Sequence, residues 1–314
     1  MGNDEMLEKA IDTSDLADGG LLNTQQANKY IQMTIDSSVM LQEARVVRMR
    51  GPVQELDKIA TTGRVSQLKS EGVAPETLAE PAFEKVNLSS VEIITPFEIT
   101  FEALEDSIER GNFEDTVISV MAKQTATDLE ELAVLGDTGS GDTYLAGLDG
   151  WRVLADDGHI VDFAGATLDR SGLAAMYRAL PDTYKRNHSD LRFYFAPAAV
   201  QDWNDTFADR PTAAGDEALT GGVAPPYMGV PVVSVPVIPT DLEGISGYES
   251  GPKLSFGLLT LRDNLIFGIQ RQIRIDKDKD ILRGVNIYVI STRIAVAYEE
   301  TDAVVVGINL GLAA

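Results

Sequence analysis

The sequence predicts an α+β fold built from loop-like segments, one long helix and paired strands. Glycine and proline recur through residues 50–85, which is typical of a long loop. Between residues 118 and 133, apolar residues recur with the 3.6-residue period of a helix, and from residue 253 onward they alternate with the two-residue period of a strand. Loop-like sequence fills much of the first quarter of the chain. This order of elements is less typical of an enzyme than of a subunit that reaches across to neighbouring subunits.

Composition narrows the functional classes. The chain has 314 residues and a mass of 33.9 kDa, which favours two intertwined subdomains. No apolar run approaches the ~18 residues of a membrane helix, and the N-terminus lacks the basic and apolar regions of a secretory signal, so we expect neither. Cysteine is absent, which excludes disulfides, thiolate nucleophiles and cysteine-type zinc sites.

The charge balance argues against nucleic-acid recognition. The 26 Lys and Arg residues face 49 Asp and Glu residues, so the formal net charge at pH 7 is −23. This negative field opposes contacts to phosphate, which proteins make with Lys and Arg. The acidity fits a wall that encloses DNA without gripping it, and it fits an ordinary soluble surface equally well.

The first elements are a helix, a strand and a projecting loop. Thr24 is a suitable N-cap for a helix over residues 25–36, and the pattern of residues 43–49 predicts a strand. The strand-like segments 44–49 and 85–88 flank the loop, so we predict that they pair as a hairpin stem.

The central elements are an edge strand and a spine helix. Residues 91–101 alternate, and Pro96 confines that strand to an edge or a bend. A helix follows over about 113–135, roughly 35 Å long at ~1.5 Å per residue, and Gly136 is predicted to close it as a C-cap glycine. Its apolar stripe comprises Ile118, Met121, Ala122, Thr125, Ala126, Leu129, Leu132 and Ala133.

Residues 150–250 predict a second, mixed unit. A short helix ends at Pro181, residues 191–195 form a strand, and a further helix begins at Pro197. Residues 228–238 predict a proline-interrupted strand near a sheet edge.

The C-terminal part predicts long paired strands. One strand places Phe267, Ile269, Ile273 and Ile275 on one face, and the other contains Ile287, Val289, Ile294 and Val296. The charged residues 276–280 are predicted to form the turn between them, and residues 303–310 predict a buried strand.

No constellation of catalytic residues is evident. His159 and His188 lie in turn-like sequence without a nucleophile motif. The glycines of residues 136–141 lack the Gly-Lys-Ser/Thr of a phosphate-binding loop. Asp276, Asp278 and Asp280 begin like a calcium loop, but Ile occupies its sixth and twelfth positions. We therefore expect no catalytic residue, cofactor or metal, which favours a structural role.

The order of these elements resembles the major capsid protein of tailed bacteriophages, which has the Hong Kong 97 fold. The resemblance covers about residues 20–314. It is carried by Gly20–Tyr30, Lys85–Asp106, the helix after Asn112 and the run Gly229-Val-Pro-Val-Val233, and its specificity lies in their order.

The resemblance implies a division of the chain. It makes residues 1–47 an N-terminal arm and 48–95 an extended β-hairpin loop. The peripheral domain, with the spine helix and β-strands, takes 96–144 and 251–301. The axial α/β domain takes 145–250 and 302–314.

The resemblance also implies function and partners. Copies of the chain would form pentamers and hexamers of an icosahedral phage head that encloses double-stranded DNA, contacted weakly and without sequence specificity. Portal protein, and scaffolding or decoration proteins, would be partners in a virion assembled in the host bacterial cytoplasm, with no membrane or cofactor. Only some 20 residues precede the matching region, so we expect scaffolding to be a separate protein or absent.

Candidate contact residues between subunits follow from the same resemblance. They are Lys58, Ile59, Val65, Leu68 and Lys69 in the loop, and Asp276, Asp278, Asp280 and Arg283 at the charged turn. Some family members join a loop lysine to an asparagine near that turn. Here the matching position carries Asp280 and Asn286 falls beyond it, so we do not expect a covalent crosslink.

Three other functions stay open from the sequence. An encapsulin-type nanocompartment shares the fold, although such shells carry a shorter loop. An acidic cytosolic hydrolase would use His159 or His188 beside an aspartate. A surface adhesin or binding module would remain monomeric.

Overall fold

Two β-sheets and a projecting hairpin organise the molecule. The computed structural model describes residues 38–61, 66, 81–106, 113–186, 188–208, 225–242 and 253–313. Within these ranges, one sheet has four strands, one has five and the hairpin has two. The helix predicted over residues 25–36 lies outside the described residues.

The N-terminal part of the described chain packs into the body. Helix α1 spans Val39–Glu43 and strand β1 spans Arg45–Arg48. The strand begins two residues later than predicted, because Glu43 is the last residue of the helix. Met40 and Leu41 of α1 are fully buried. At the end of the predicted arm, Met40, Leu41 and Ala44 therefore belong to the chain's own core.

The hairpin consists of β2, Val53–Thr61, and β3, Pro81–Ser89, paired antiparallel from Val53 opposite Ser89 to Thr61 opposite Pro81. The predicted stem was wrong in its first strand. Residues 45–48 instead pair in parallel with another strand, and Gly51-Pro52 separates them from the hairpin.

The four-stranded sheet has the order β1-β9-β10-β4. Strand β4 spans Val91–Thr100, β9 spans Leu265–Asp280 and β10 spans Val285–Tyr298. Pro96 lies in β4, an edge strand, as predicted, because an edge strand needs no ladder hydrogen bond on its outer side.

The turn between β9 and β10 lies at residues 281–284, so the predicted turn at 276–280 was wrong. Asp-Lys alternation has the period of a strand, and these residues pair with β10 from Asp276 opposite Val289 to Asp280 opposite Val285. Gly284 adopts a φ of 66°, which glycine tolerates without a Cβ penalty.

One face of the four-stranded sheet is covered by the spine helix. Helix α2 spans Phe101–Asp106, and the spine helix α3 spans Phe113–Leu135, as predicted. Ala122 of α3 packs in one cluster with Ile99, Tyr288 and Ile290. In this part of β10, Tyr288 and Ile290 are buried against the helix, whereas Ile287 and Val289, which the sequence placed in the strand, are half-buried on the opposite face.

Gly136 ends the spine helix for a different reason from the predicted one. The backbone of Gly136 is not in the left-handed region. Among the described glycines, Gly165, Gly229 and Gly284 adopt that conformation. A Cβ at Gly136 would lie 2.4 Å from the Leu148 carbonyl oxygen. Close approach of two backbone segments therefore requires the glycine.

The five-stranded sheet has the order β5-β11-β8-β6-β7. Its strands are β5, His159–Asp162; β6, Leu191–Phe195; β7, Val232–Ser234; β8, Leu254–Leu261; and β11, Val304–Gly311. Strand β7 lies at an edge, as predicted, but is shorter than the predicted segment. Strand β8 belongs to this sheet, so residues 251–301 are divided between the two sheets.

Three short helices follow the spine helix along the chain. They are α4, Trp151–Leu154; α5, Arg170–Ala179; and α6, Pro197–Ala208. Helix α4 contacts the spine helix and β10, whereas α5 and α6 accompany the five-stranded sheet. Trp203 of α6 and Met176 of α5 are buried in one apolar cluster with Phe193 and Phe195 of β6. In the helices described, no segment is both long and apolar enough to cross a membrane.

Two short connectors join the sheets and meet at one asparagine. Residues 262–264 link β8 to β9, and residues 299–303 link β10 to β11. Asn264 is buried; its side-chain Nδ2 donates to the Glu300 carbonyl at 2.9 Å, and its Oδ1 accepts from the Glu300 N–H at 2.7 Å. This paired contact fixes the point where the chain crosses between the sheets.

Candidate assembly surfaces

Exposed apolar side chains concentrate on two projecting features. Of the described residues, the hairpin exposes 63% of Val53 and 72% of Phe83, and the turn after β9 exposes 83% of Ile281 and 100% of Leu282. Other exposed large apolar residues are Ile94, Val120, Ile160 and Met228. Clustered apolar exposure of this kind marks a contact surface for another protein.

The hairpin has an inner and an outer face. Leu88 is fully buried, and with the half-buried Leu56 and Val86 it packs against Met49 and Ile266. Residues alternate along a strand, so Val53 and Phe83 lie on the outer face. The inner face secures the base of the hairpin, and the outer face is available for contact.

The predicted loop contacts divide into three groups. Lys58 is ion-paired within its own chain, with Glu84 at 3.3 Å and with Glu300. Ile59 lies opposite Phe83 in the hairpin register. Val65, Leu68 and Lys69 lie outside the described residues.

The turn after β9 exposes apolar side chains and is held by hydrogen bonds and an ion pair. The Oδ1 atom of Asp280 accepts from the N–H groups of Leu282, at 3.0 Å, and Arg283, at 3.1 Å. The Arg283 guanidinium pairs with both carboxylate oxygens of Glu98, at 2.7 and 3.0 Å. Asp280 and Arg283, predicted as contacts, thus brace the turn within the chain and hold Ile281 and Leu282 outward.

The other predicted aspartates lie on the outer face of the four-stranded sheet, opposite the spine helix. Asp276 pairs with Arg274 at 2.6 Å, and Asp278 accepts from the Lys279 N–H at 2.7 Å. The structure therefore brings Asp276, Asp278 and Asp280 onto one face. Asp276 makes an ion pair there, and Asp280 makes the turn contacts.

The outer face of the four-stranded sheet has an exposed apolar side chain beside ion pairs. Glu92 pairs with Arg271 and Arg293, each at 2.7 Å, and the hydrogen bond from Arg293 is the main reason that the pKa of Glu92 is lowered. Ile94 in the same strand is 60% exposed. An apolar centre with a polar rim is the usual composition of a protein interface.

The two histidines have different surroundings. His159 lies in β5, so its predicted turn location was wrong, and its Nε2 is buried without a hydrogen bond. His188 lies in a turn, and its Nε2 is 2.7 Å from the hydroxyl of Tyr177. Among the described residues, no cluster of three or more His, Asp or Glu side chains could hold a metal ion.

Residues 18–308 match the model of the Phage capsid family. The chain belongs to this family. YqbE of Bacillus subtilis (strain 168), which is named as a putative prophage capsid protein, is 38% identical over 307 residues, and the match covers 97% of both chains. The protein is therefore a structural capsid subunit and not an enzyme, and self-association into a shell is its role in the phage head.

Solved capsid structures share the fold. The satellite phage P4 procapsid, whose structure includes the size determination (Sid) protein, matches with a TM-score of 0.68, 14% identity and 96% coverage of each chain. The capsid of a native GTA particle gives 0.63 at 15% identity, covering 88% of this chain and 91% of that one. Gordonia phage Cozz gives 0.58 at 15% identity, covering 88% and 87%. These likenesses support the α+β fold.

Sequence reasoning missed three of the most exposed apolar residues. Ile281 and Leu282 were not singled out, because the turn was predicted just before them, at residues 276–280. Phe83 was not singled out, because its strand was interpreted as the end of a loop.

Proposed function

We propose that the chain is the major capsid protein of a tailed phage, with the Hong Kong 97 fold, and that it forms the pentamers and hexamers of an icosahedral head. The observation that carries the proposal is the projection of Phe83 on the hairpin and of Ile281 and Leu282 on a braced turn. A lone soluble subunit gains nothing from such exposure, whereas an obligate assembly buries it in large, apolar interfaces.

The proposal assigns the described parts to the domains of that fold. The hairpin is the extended loop, and the four-stranded sheet with the spine helix is the peripheral domain. The five-stranded sheet with its helices is the axial domain. Because β8 lies in the five-stranded sheet, the boundary in this part of the chain falls at the connector 262–264 and not at residue 251.

We infer that the hairpin of one copy docks on the next copy. Its outer face offers Val53 and Phe83 beside the Glu55–Lys85 ion pair. The outer face of the four-stranded sheet offers Ile94 within the ion pairs of Glu92. Each surface combines an apolar centre with charges of both signs, so the two surfaces are complementary in character.

The enclosed cargo is proposed to be double-stranded DNA. A net charge of −23 repels phosphate, so the inner wall would enclose the genome without binding it tightly. Portal protein, and scaffolding or decoration proteins, are proposed partners, with assembly in the host bacterial cytoplasm. Nuclease treatment of purified particles, followed by extraction, tests whether they protect DNA.

Electron microscopy of purified protein variants tests the proposal. The double variants Val53→Ser with Phe83→Ser, and Ile281→Ser with Leu282→Ser, remove exposed apolar groups without touching the core. Surface changes of this kind alter stability by about 0.5 kcal/mol or less. We expect closed particles of uniform diameter from the natural chain, and folded subunits without particles from both variants. Phe83→Leu, which keeps an apolar group, is the matched control and should form particles.

Two outcomes would contradict the proposal. One is a natural chain that stays a stable monomer at all concentrations. The other is normal particle yield from both serine variants, with circular dichroism showing an unchanged fold.

A further inference from the structure

The Lys58 side chain connects the hairpin to the crossing between the two sheets. Lys58 lies in β2 and pairs with Glu300, which follows β10 in the connector to β11. It also pairs with Glu84, its register partner in β3, at 3.3 Å. One ammonium thus holds both strands of the hairpin to a residue about 240 positions later in the chain.

Glu300 is a well-fixed anchor. Its N–H donates to Asn264 and its carbonyl accepts from Asn264, at 2.7 and 2.9 Å. Asn264 is buried, and the N–H of Glu299 also donates to the Asn264 carbonyl at 3.1 Å. The carboxylate that Lys58 meets is therefore carried by the backbone that both connectors share.

Lys58 supplies a second point of attachment for the hairpin. Leu88, Val86 and Leu56 pack the base of the hairpin on the body, and in the register Leu88 lies opposite Gln54. Lys58 is the next inward-facing residue of β2 toward the tip after Leu56. A projection held at its base alone can swing, whereas one held at two points along its length keeps a fixed angle.

We propose that Lys58 and Glu300 form a latch that sets the angle of the hairpin, so that its outer face meets a neighbouring copy in the correct orientation. Lys58 is then a positioning residue and not a contact between subunits. The latch rests on the proposed function, because a fixed hairpin angle matters only if the hairpin docks on another copy.

The surroundings of the pair favour this role. The Lys58 and Glu300 side chains are 18% and 29% exposed, whereas those of the Lys85–Glu55 pair on the outer face are 59% and 53% exposed. Water screens the less exposed pair less strongly. Burial lowers the pKa of Lys58, but Glu300 and Glu84 raise it above its ordinary value overall. The ammonium therefore stays charged through the neutral range and loses its charge as the pH rises through that raised pKa.

Charge reversal with rescue tests the latch. Lys58→Glu places one new carboxylate against those of Glu300 and Glu84, and we expect at least a tenfold drop in particle yield at fixed subunit concentration. Adding Glu300→Lys restores an opposite pair and should bring the yield back to within about threefold of the natural chain. The matched control is the exposed Arg45–Glu299 pair of the body, in which Arg45→Glu should change the yield by less than twofold.

A distance measurement gives a readout that is independent of assembly. Because the chain has no cysteine, spin labels can be attached at Asp57→Cys in β2 and Asp205→Cys in α6 and nowhere else. In dissociated subunits we expect one narrow distance distribution for the natural chain, a broadened one for Lys58→Glu, and a narrow one again after Glu300→Lys.

The outcomes separate the latch from the proposed function. If Lys58→Glu leaves both the distance distribution and the particle yield unchanged, the latch is wrong. It is also wrong if Glu300→Lys fails to restore either readout. If the natural chain forms no particles while the distances behave as expected, the latch stands as a feature of the subunit and the proposed function fails.

Discussion

Strands β8 and β11 of the five-stranded sheet and the β2–β3 hairpin are built from similar lengths of chain, yet they differ sharply in burial. Seven of the eight residues of β8 are buried, and seven of eight in β11. Among the described side chains of the hairpin, only Leu88 is buried. An isolated two-stranded hairpin is marginally stable in water, so it needs a further surface. The body is thus stabilised by its own core, whereas the hairpin packs on the body only through its inner face, and we propose that another copy supplies the remaining surface.

The largest expected effect lies at the junction of the body. Trp151 is fully buried, and its Nε1 donates to the Ala297 carbonyl at 3.2 Å. Trp151→Ala should lower the free energy of unfolding by about 3–5 kcal/mol, measured by urea unfolding of dissociated subunits. A loss below about 1 kcal/mol would mean that the junction does not stabilise the body.

A smaller and local effect is expected at the base of the hairpin. Leu88→Ala removes the one fully buried side chain there and should destabilise its docking by about 2–4 kcal/mol. Hydrogen exchange should rise in residues 53–58 and 83–89 and stay unchanged in β8 and β11. Faster exchange throughout the body would show that the hairpin is part of the main core. It would contradict the distinction between the body and the hairpin.

A helix cap in the body should have an effect of about 1 kcal/mol. Asp169 precedes α5, and its Oδ1 accepts from the Gly172 N–H at 2.9 Å. Asp169→Ala should therefore cost about 1 kcal/mol at neutral pH. Burial raises the pKa of Asp169, but hydrogen bonds from Gly172 and Ser171 lower it overall.

The pH dependence of that cap follows from the lowered pKa. The contribution is present above the ordinary aspartate pKa and disappears as the pH falls through the lower value of the folded state. Unfolding curves of the natural chain and Asp169→Ala should thus converge in strong acid. A constant difference across the pH range would contradict the cap.

The smallest expected effect concerns a buried acid that holds α1. Glu130 is 4% exposed and accepts from the Met40 N–H at 2.6 Å. Burial raises its pKa more than the N–H groups of Met40 and Val39 lower it. The ionised form therefore weakens the folded state at neutral pH, and acidification through the raised pKa relieves this.

Glu130→Gln keeps an oxygen that can accept from Met40 and removes the charge. The variant should be slightly more stable than the natural chain at neutral pH, with the difference shrinking as the pH falls. Asp205→Asn, an exposed acid in α6, is the control and should show no such trend. Lower stability of Glu130→Gln at neutral pH would mean that the charge itself is required to hold α1.

The sequence predicted the parts whose periodicity is set by burial on one side. The spine helix was located at its observed bounds because its stripe from Ile118 to Ala133 faces a sheet, and the last strand was recognised because it is apolar apart from Asn309. Register and turn position were not recoverable in the same way. Alternating Asp and Lys residues fit a strand and a charged turn equally, and pairing with Val285–Val289 decides between them.

The candidate surfaces were only partly predictable. The loop was identified as a projecting hairpin, but its stem was misplaced because residues 45–48 and 53–61 are both strand-like. Lys58 was selected as a contact between subunits from its place in the loop. Its partner Glu300 lies far away in sequence, so a role within the chain becomes visible only once the fold brings the two together.

Hydroxyl-radical footprinting of dissociated subunits and assembled particles tests most directly whether the hairpin and the turn are completed by another copy. The side chains of Phe83, Ile281 and Leu282 are exposed in the subunit, while Phe256 of β8 is buried. We predict that oxidation of the three exposed residues falls several-fold on assembly and that oxidation of Phe256 stays low in both states. Equal oxidation of Phe83 and Leu282 in subunits and particles would contradict the account.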